Sequence, residues 1–404
     1  MDQRKSIRPV VIVTGANRGI GFGICQRLLS QLCSPSPSDS APNARPTAGP
    51  AWSFWQGCDG FTLIMCSRTL DSGLTAREQL LKHLDHRISR LGLSSHAERA
   101  TTFRRNLTVE VVAMDLTKAS SLLEFAAWVQ ERYSYVSHLI LNAGVAQFVG
   151  VKAWPAMKQV FTRPSSAVKS PQYLKERTGA TTDDGIGLIW QTNVLGHYVL
   201  FQLLGNLLRE CLNTQGITSR VIWMSSLSTF IDPGDYNSKD IQLLKSSHPY
   251  QDSKFQIEIL AATLNQQKAP GSDSALHFVV EPGIVATGLD QFNNRGFWRV
   301  LRTLTFISAR LINSHSFPTS TYDAAISVTH AALLDVESLD KRLNEDNQRP
   351  QLKFHSRAPL NRKAYVSYEE CLELDKLNAA RSEQILAACD ECYKSFLPVH
   401  IQSE

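Results

Sequence analysis

Thr14-Gly15-Ala16-Asn17-Arg18-Gly19-Ile20-Gly21 follows the apolar run Val10-Val11-Ile12-Val13 and leads into Phe22-Gly23-Ile24-Cys25-Gln26-Arg27-Leu28-Leu29, where apolar residues recur at helical spacing. Strand, glycine-rich turn, helix is the context that gives a glycine motif chemical meaning. Gly15 permits the sharp turn, and Gly19 and Gly21 let backbone approach a pyrophosphate at the helix N-terminus. Free N–H groups and the positive end of the helix dipole meet the phosphate charge there. The spacing is G-x-x-x-G-x-G rather than G-x-G-x-x-G. By itself such a triplet is equally a tight strand-to-helix connection, so the rest of the chain decides.

Working outward, apolar runs recur at 61–66, 108–114, 138–141, 220–224 and 276–280, with helical patterns between them at 75–91, 118–133, 187–212 and 249–267. Alternation of this kind predicts an α/β chain, a Rossmann-type doubly wound parallel sheet covered on both faces. Ligands of such sheets bind beyond the carboxyl ends of the strands at the switch point. The expected organisation is one catalytic domain over 8–332 with a C-terminal helical extension over 333–404. Residues 34–58, rich in Pro, Ser and Ala at their start, read as a flexible surface insertion, and the polar stretch 150–184 as a second insertion. Ser367-Tyr368-Glu369-Glu370 reads as a capping box opening a helix that runs to about 396.

The 404 residues carry 20% charged and 43% hydrophobic side chains and a formal net charge of +5. That charge suits an anionic cofactor or membrane surface but is too small and dispersed for a nucleic-acid binder. No signal-peptide pattern opens the chain and no run of 18 apolar residues suggests a membrane span. The eight cysteines read as reduced thiols. Cys389 and Cys392 lack the second pair or histidines that zinc needs, so no metal site is expected.

Tyr250 and Lys254, four apart on a predicted helix, share one face. An ammonium beside a tyrosine favours the phenolate and makes proton transfer to a carbonyl oxygen practicable. Taken alone, Tyr-x-x-x-Lys is a common and usually uninformative pair. Ser225-Ser226, ending an apolar run, can supply a hydroxyl to the same carbonyl or simply make a turn.

Together these features resemble the short-chain dehydrogenase/reductase family. Thr14–Gly21 matches its glycine turn, and Asn142-Ala143-Gly144 its central-strand motif. Asn193, Ser226, Tyr250 and Lys254 match its catalytic tetrad, while Pro282-Gly283, Val285 and Thr287 match the segment that holds the nicotinamide carboxamide. The resemblance makes Tyr250 the acid/base, Lys254 a ribose ligand as well, Ser226 the carbonyl-positioning hydroxyl and Asn193 the support of a water relay. Ser226 is preferred to Ser225 because the family usually uses the second hydroxyl of this pair; Ser228 stays open, because 24 residues separate Ser226 from Tyr250, more than the family usually has. The resemblance places Gly15, Asn17, Arg18, Gly19, Ile20, Gly21, Arg68, Asp115, Asn142, Ala143 and Gly144 around the cofactor. Arg68, just past the second strand, stands where a carboxylate would bind a ribose 2′-hydroxyl, so NADPH is expected, with Arg18 as a second guanidinium. Asp115 is expected at the adenine edge.

A narrower similarity, to the 3-ketosteroid reductases of ergosterol synthesis, rests on Asp183–Gly187, Gln191–Tyr198, Asp240–Leu244, Tyr250-Gln251-Asp252-Ser253-Lys254-Phe255-Gln256 and Pro282–Thr287. It implies a sterol or triterpenoid 3-ketone as substrate and NADPH as cofactor. It also implies other C-4 demethylation enzymes as partners, and peripheral contact with the cytoplasmic face of the endoplasmic reticulum or with lipid droplets. The alternatives are a paralogous ketoreductase for another lipophilic ketone, and a cofactor-binding scaffold. Residues 284–320 are expected to form the substrate loop. Within it 297–312 read as a helix with Phe297, Val300, Leu301, Leu304, Ile307, Leu311 and Ile312 on one side and Arg299, Arg302 and Arg310 on the other, Phe306 among the arginines as an exception and Trp298 at the margin. The pattern suits a core-covering helix equally, and the lipophilic substrate that the similarity implies favours a membrane-facing one.

Overall fold

The computed structural model describes residues 8–34, 36–40, 58, 60–92, 94–152, 154, 158–159, 162, 173–229, 236–267, 275–283, 316, 318, 320–334, 352–359, 363–370 and 379–398. Val285, Thr287 and the 297–312 segment lie outside the described residues.

The core is an eight-stranded sheet in the order β10-β9-β8-β7-β4-β1-β2-β3. Its strands are β1 (Val10–Thr14), β2 (Thr62–Ser67), β3 (Thr108–Ala113), β4 (His138–Leu141), β7 (Arg220–Met224), β8 (Leu276–Glu281), β9 (Leu352–Arg357) and β10 (Tyr365–Glu370). Every neighbouring pair is parallel except β9–β10. A separate antiparallel pair joins β5 (Phe148–Val151) to β6 (Leu174–Glu176). Among the described residues the longer helices are α1 (Gly19–Leu32), α2 (Leu70–Ser89), α3 (Ser95–Arg105), α4 (Ala119–Arg132), α5 (Gly196–Leu203), α6 (Gly205–Gln215), α7 (Pro249–Gln266), α8 (Ile326–Leu333) and α9 (Ala379–Phe396).

Period-2 alternation on β1 shows how the sheet is covered. Val10 and Ile12 enter an apolar cluster with Leu122 of α4, Tyr198 of α5 and Leu260 of α7. Val11 and Val13 enter the opposite cluster with Ile24 of α1, Leu80 of α2 and Val328 of α8. Both faces are therefore dry, and the strands read as unbroken apolar runs for that reason. From β1 the chain proceeds outward to β2 and β3, then returns to β4 on the other side. The switch point falls between β1 and β4, paired Val11 with His138 and Val13 with Ile140.

Three expectations change. Ser367–Glu370 opens no helix: it lies in β10, paired with β9 through Ser367–His355 and Glu369–Lys353. A Ser–Glu spacing of three suits a cap only where no partner strand is at hand, and here one is. Residues beyond 333 are not simply a helical extension, because β9 pairs in parallel with β8 and extends the main sheet. Finally, the start of the 34–58 insertion is not all surface. Asp39 is 1% exposed, accepting two hydrogen bonds from Arg27, at 2.5 and 2.8 Å, and one from Thr329 Oγ1 at 2.5 Å.

Candidate active site

The glycine turn is built as its residues require. Gly15 and Gly19 have φ of +64° and +57°, the left-handed region that a Cβ disfavours. A Cβ on Gly21 would lie 2.1 Å from Gly15 O. Arg18, the N-cap of α1, makes no side-chain cap, and the first turn holds no acid. The leading N–H groups of a fourteen-residue helix are thus left for an anion.

Thr14 locks this turn to the far side of the switch point. Its hydroxyl accepts from the backbone N–H groups of Asn142 and Ala143, both at 2.9 Å. The Asn142 amide returns bonds to Thr14 O at 2.8 Å and Gly15 O at 3.3 Å. Below it sits His197, buried between Thr14 Oγ1 and Asn193 O at 3.2 Å each. Burial, aided by the Lys254 charge, pulls its imidazole down to about 3, so the ring is neutral.

The expected catalytic residues converge beside that turn. The Tyr250 phenol is hydrogen-bonded to Ser226, just past β7. Lys254, 3% exposed, has Nζ 5.7 Å from the centre of the Tyr250 ring and donates to Met224 O at 2.8 Å. Asn193 lies in a π-helical turn, Gln191–Leu195, which replaces one turn of regular helix at the site. Its amide donates to Val145 O at 3.0 Å and Ser253 Oγ at 2.9 Å, and accepts from Val145 N at 2.8 Å. Asn193 therefore fixes the chain just after Gly144.

Burial pushes the Tyr250 phenol above its ordinary value, the Ser226 hydrogen bond opposes this and the Glu176 charge adds to it. The expected lowering by Lys254 is not what the protein alone shows, since the ammonium is turned toward Met224 O and desolvation dominates. Lys254 is lowered to about 8 by burial, against the pull of Glu258. At neutral pH this leaves a protonated phenol beside an ammonium that is still mostly charged.

The two serines separate cleanly. Ser225, 2% exposed, gives its hydroxyl to Glu258, leaving Ser226 as the hydroxyl on Tyr250. Nothing is described of the Ser228 side chain. Arg18 and Arg68 are exposed, with no acid partner among the described residues. Asn17 donates to Ser72 Oγ at 3.1 Å, and Ile20 is half-buried. Asp115 holds its own turn, accepting from Thr117 N at 3.0 Å and Thr117 Oγ1 at 2.8 Å.

Sequence reasoning missed the residues behind these groups. β9 presents Lys353, His355 and Arg357 on one face, as the strand period dictates. Lys353 Nζ lies 2.8 Å from Glu258 and 3.1 Å from Thr229 Oγ1, and Thr229 bonds Ser226 O at 2.9 Å. His355 Nδ1 and Arg357 each lie 2.8 Å from Glu281, whose other oxygen takes the N–H of Gly283. Burial alone would raise the Glu281 carboxyl, but His355 and Arg357 prevail and hold it below the ordinary carboxylate range. The Pro282-Gly283 turn, with Gly283 at φ +75°, is thus held from beneath. The alternation of basic residues at 353, 355 and 357 was the available signal, but it reads equally as a solvated strand face.

A parallel sheet with a glycine turn at its switch point and a Tyr–Lys–Ser–Asn group at the strand ends is the arrangement expected of an oxidoreductase that resembles the short-chain dehydrogenase/reductases. Among curated proteins the chain is similar to 3-keto-steroid reductases. That of Kluyveromyces lactis is 27% identical over 403 residues, covering 97% of this chain and 94% of the relative. That of Aspergillus fumigatus, erg27, is 28% identical over 362 residues, covering 82% and 74%. No family model matches the chain. Among solved structures, the RhlG/NADP complex of Pseudomonas aeruginosa superposes with a TM-score of 0.47 at 14% identity, covering 83% of this chain and 94% of that one.

Proposed function

We propose that this protein is an NADPH-dependent reductase that converts a 3-keto sterol to the 3β-hydroxysterol during sterol C-4 demethylation. The observation that carries the reading is the Tyr250–Ser226 hydrogen bond, with the Lys254 ammonium beside the phenol. The curated 3-keto-steroid reductases supply the substrate class.

The residues present fit a dinucleotide. An uncapped helix N-terminus follows a turn in which a Cβ at Gly21 would strike backbone, and Arg18 and Arg68 are exposed guanidiniums that this reading assigns to the adenosine side. When bound, NADPH supplies the hydride that the carbonyl carbon accepts. Tyr250 gives its proton to the carbonyl oxygen, so carbon gains the hydride and oxygen the proton. Ser226 orients that oxygen, Lys254 stabilises the phenolate left behind and binds ribose, and Asn193 keeps the chain after Gly144 in place. Arg68 accounts for the choice of NADPH over NADH, because a guanidinium suits a 2′-phosphate. We place the protein in peripheral contact with the endoplasmic reticulum or lipid droplets, alongside other C-4 demethylation enzymes. Among the described residues no helix is long and apolar enough to cross a membrane.

The test is NADPH consumption with a panel of 3-keto sterols, by wild type and Tyr250→Phe. Turnover on the sterol and a loss of about 10²–10⁴-fold in the variant are expected. Retention of most activity by Tyr250→Phe would show that another group is the acid.

A further inference from the structure

The first turn of α7 poses a problem that its own sequence does not solve. Pro249 is the first helical residue and has no N–H, and the N-cap His248 makes no side-chain bond to the helix. Tyr250 N–H is therefore the first orphan donor of the helix that carries the proposed acid. It is met from outside: Glu176 Oε2, at the end of β6, accepts it at 2.9 Å. The Glu176 side chain is 5% exposed, and His248 Nδ1 lies 3.9 Å from its other oxygen. Carboxylates are buried this deeply only against such partners, and a negative charge at a helix N-terminus is favoured.

The residue paired with Glu176 across the β5–β6 ladder is Phe148. Directly opposite residues share a face of the ladder, and the Phe148 ring meets the Tyr250 ring edge-on, with centroids 6.2 Å apart. One cross-strand pair thus grips Tyr250 twice, by its backbone and by its ring. We propose that Glu176 is a positioning residue for Tyr250, making the β5–β6 pair part of the catalytic apparatus rather than an appended loop.

The placement has two consequences. Losing the cap should let Tyr250 shift relative to Ser226 and Lys254, lowering turnover. The carboxylate also opposes ionisation of the phenol, as a like charge must. The other groups around the pair are His248 at the N-cap of α7, Asp252 from its first turn, Lys152 beyond β5, Lys254 one turn along and Ser226 from the end of β7. His248 is raised above its ordinary value, chiefly by the Glu176 carboxylate beside it.

This inference rests on Tyr250 being the acid, so the experiment reads two things in the full-length protein. One is the alkaline limb of kcat/KM with a ketone. The other is the tyrosinate absorbance of Tyr250 itself, obtained by subtracting the same protein bearing Tyr250→Phe. Glu176→Gln keeps a carbonyl acceptor for the N–H but removes the charge. Both the limb and the tyrosinate midpoint should move down by about half a pH unit or more. Glu176→Ala should in addition lower kcat by about ten- to a hundredfold, with Glu176→Gln recovering part of it. Should the alanine variant fail to fold, the glutamine variant decides alone. An unmoved tyrosinate midpoint in Glu176→Gln overturns the proposal. A midpoint that moves while the kinetic limb stays fixed upholds Glu176 and overturns Tyr250 as the acid.

Discussion

Replacing Lys353 with methionine tests whether the C-terminal strands support the site. Lys353 Nζ lies 2.8 Å from Glu258, and both residues are under 10% exposed. At an effective dielectric of about 20 their attraction is about 6 kcal/mol before desolvation is subtracted. Methionine fills a similar volume but leaves Glu258 buried with the Ser225 hydroxyl as a partner. Thr229 keeps its bond to Ser226 O, so no second orphan is created. Breaking one side of a buried pair costs about 3–5 kcal/mol, whereas replacing both sides by apolar groups is often nearly neutral. Lys353→Met and Glu258→Met should each lose about that much in urea unfolding read by linear extrapolation, with unchanged m. The double variant should lose far less than the sum. Additive losses, or a single-variant loss below about 1 kcal/mol, would show that Lys353 and Glu258 do not act as a pair.

Other consequences follow from the same geometry. Gly21→Ala forces a Cβ to within 2.1 Å of Gly15 O and 2.6 Å of Asn142 Nδ2; at least a tenfold loss of NADPH affinity is expected, on the order of 1.4 kcal/mol, and an unchanged fluorescence titration would contradict it. Arg68→Ala should weaken NADPH binding and leave NADH binding nearly unchanged, and equal losses would remove Arg68 from cofactor choice. Burial holds His138, His197 and His330 down to about 3, 3 and 4, so their stabilisation is present above pH 6.5 and is lost as pH falls from there toward those values. The slope is about 1.4 kcal/mol per pH unit for each. His248 and His355 are raised and act oppositely, but three outweigh two, and Tm should fall between pH 7.5 and 5.5; a constant Tm would mean these rings are not neutral in the fold.

What the sequence made legible was local. The apolar runs, the glycine turn and the four-residue Tyr250–Lys254 spacing are short-range patterns, and each sits on the element its periodicity implied. What stayed hidden depends on pairing across long separations. Leu352–Arg357 carries a basic residue at every second position, which on composition is a strand half in water. Lys353 and His355 are nonetheless 6% and 4% exposed, because Glu258 and Glu281 meet them from distant parts of the chain. Glu176 lies in a stretch without period, and its partner is 74 residues away. The preference for Ser226 over Ser225 proved structurally legible only through Glu258, the residue that occupies Ser225.

These hidden residues share a purpose that follows from the geometry of α7. Tyr250, Lys254 and Glu258 are four apart, so they form one stripe, and that stripe lies along the end of β7. Tyr250 meets Ser226, Lys254 meets Met224 O and Glu258 meets Ser225. A helix held only by that stripe could still tilt about it, and a displacement near 1 Å at a reacting group costs about a hundredfold. Tilting is opposed at separate points by segments distant in sequence. Glu176 holds the first N–H, Lys353 holds Glu258 two turns further on, and Ile385 of α9 packs with Phe255, Ile259 and Tyr236 behind the helix. The insertion before α7 and the strands and helix after β8 therefore act on one element, which explains why residues so far from the glycine turn are buried with such exact partnering of charge.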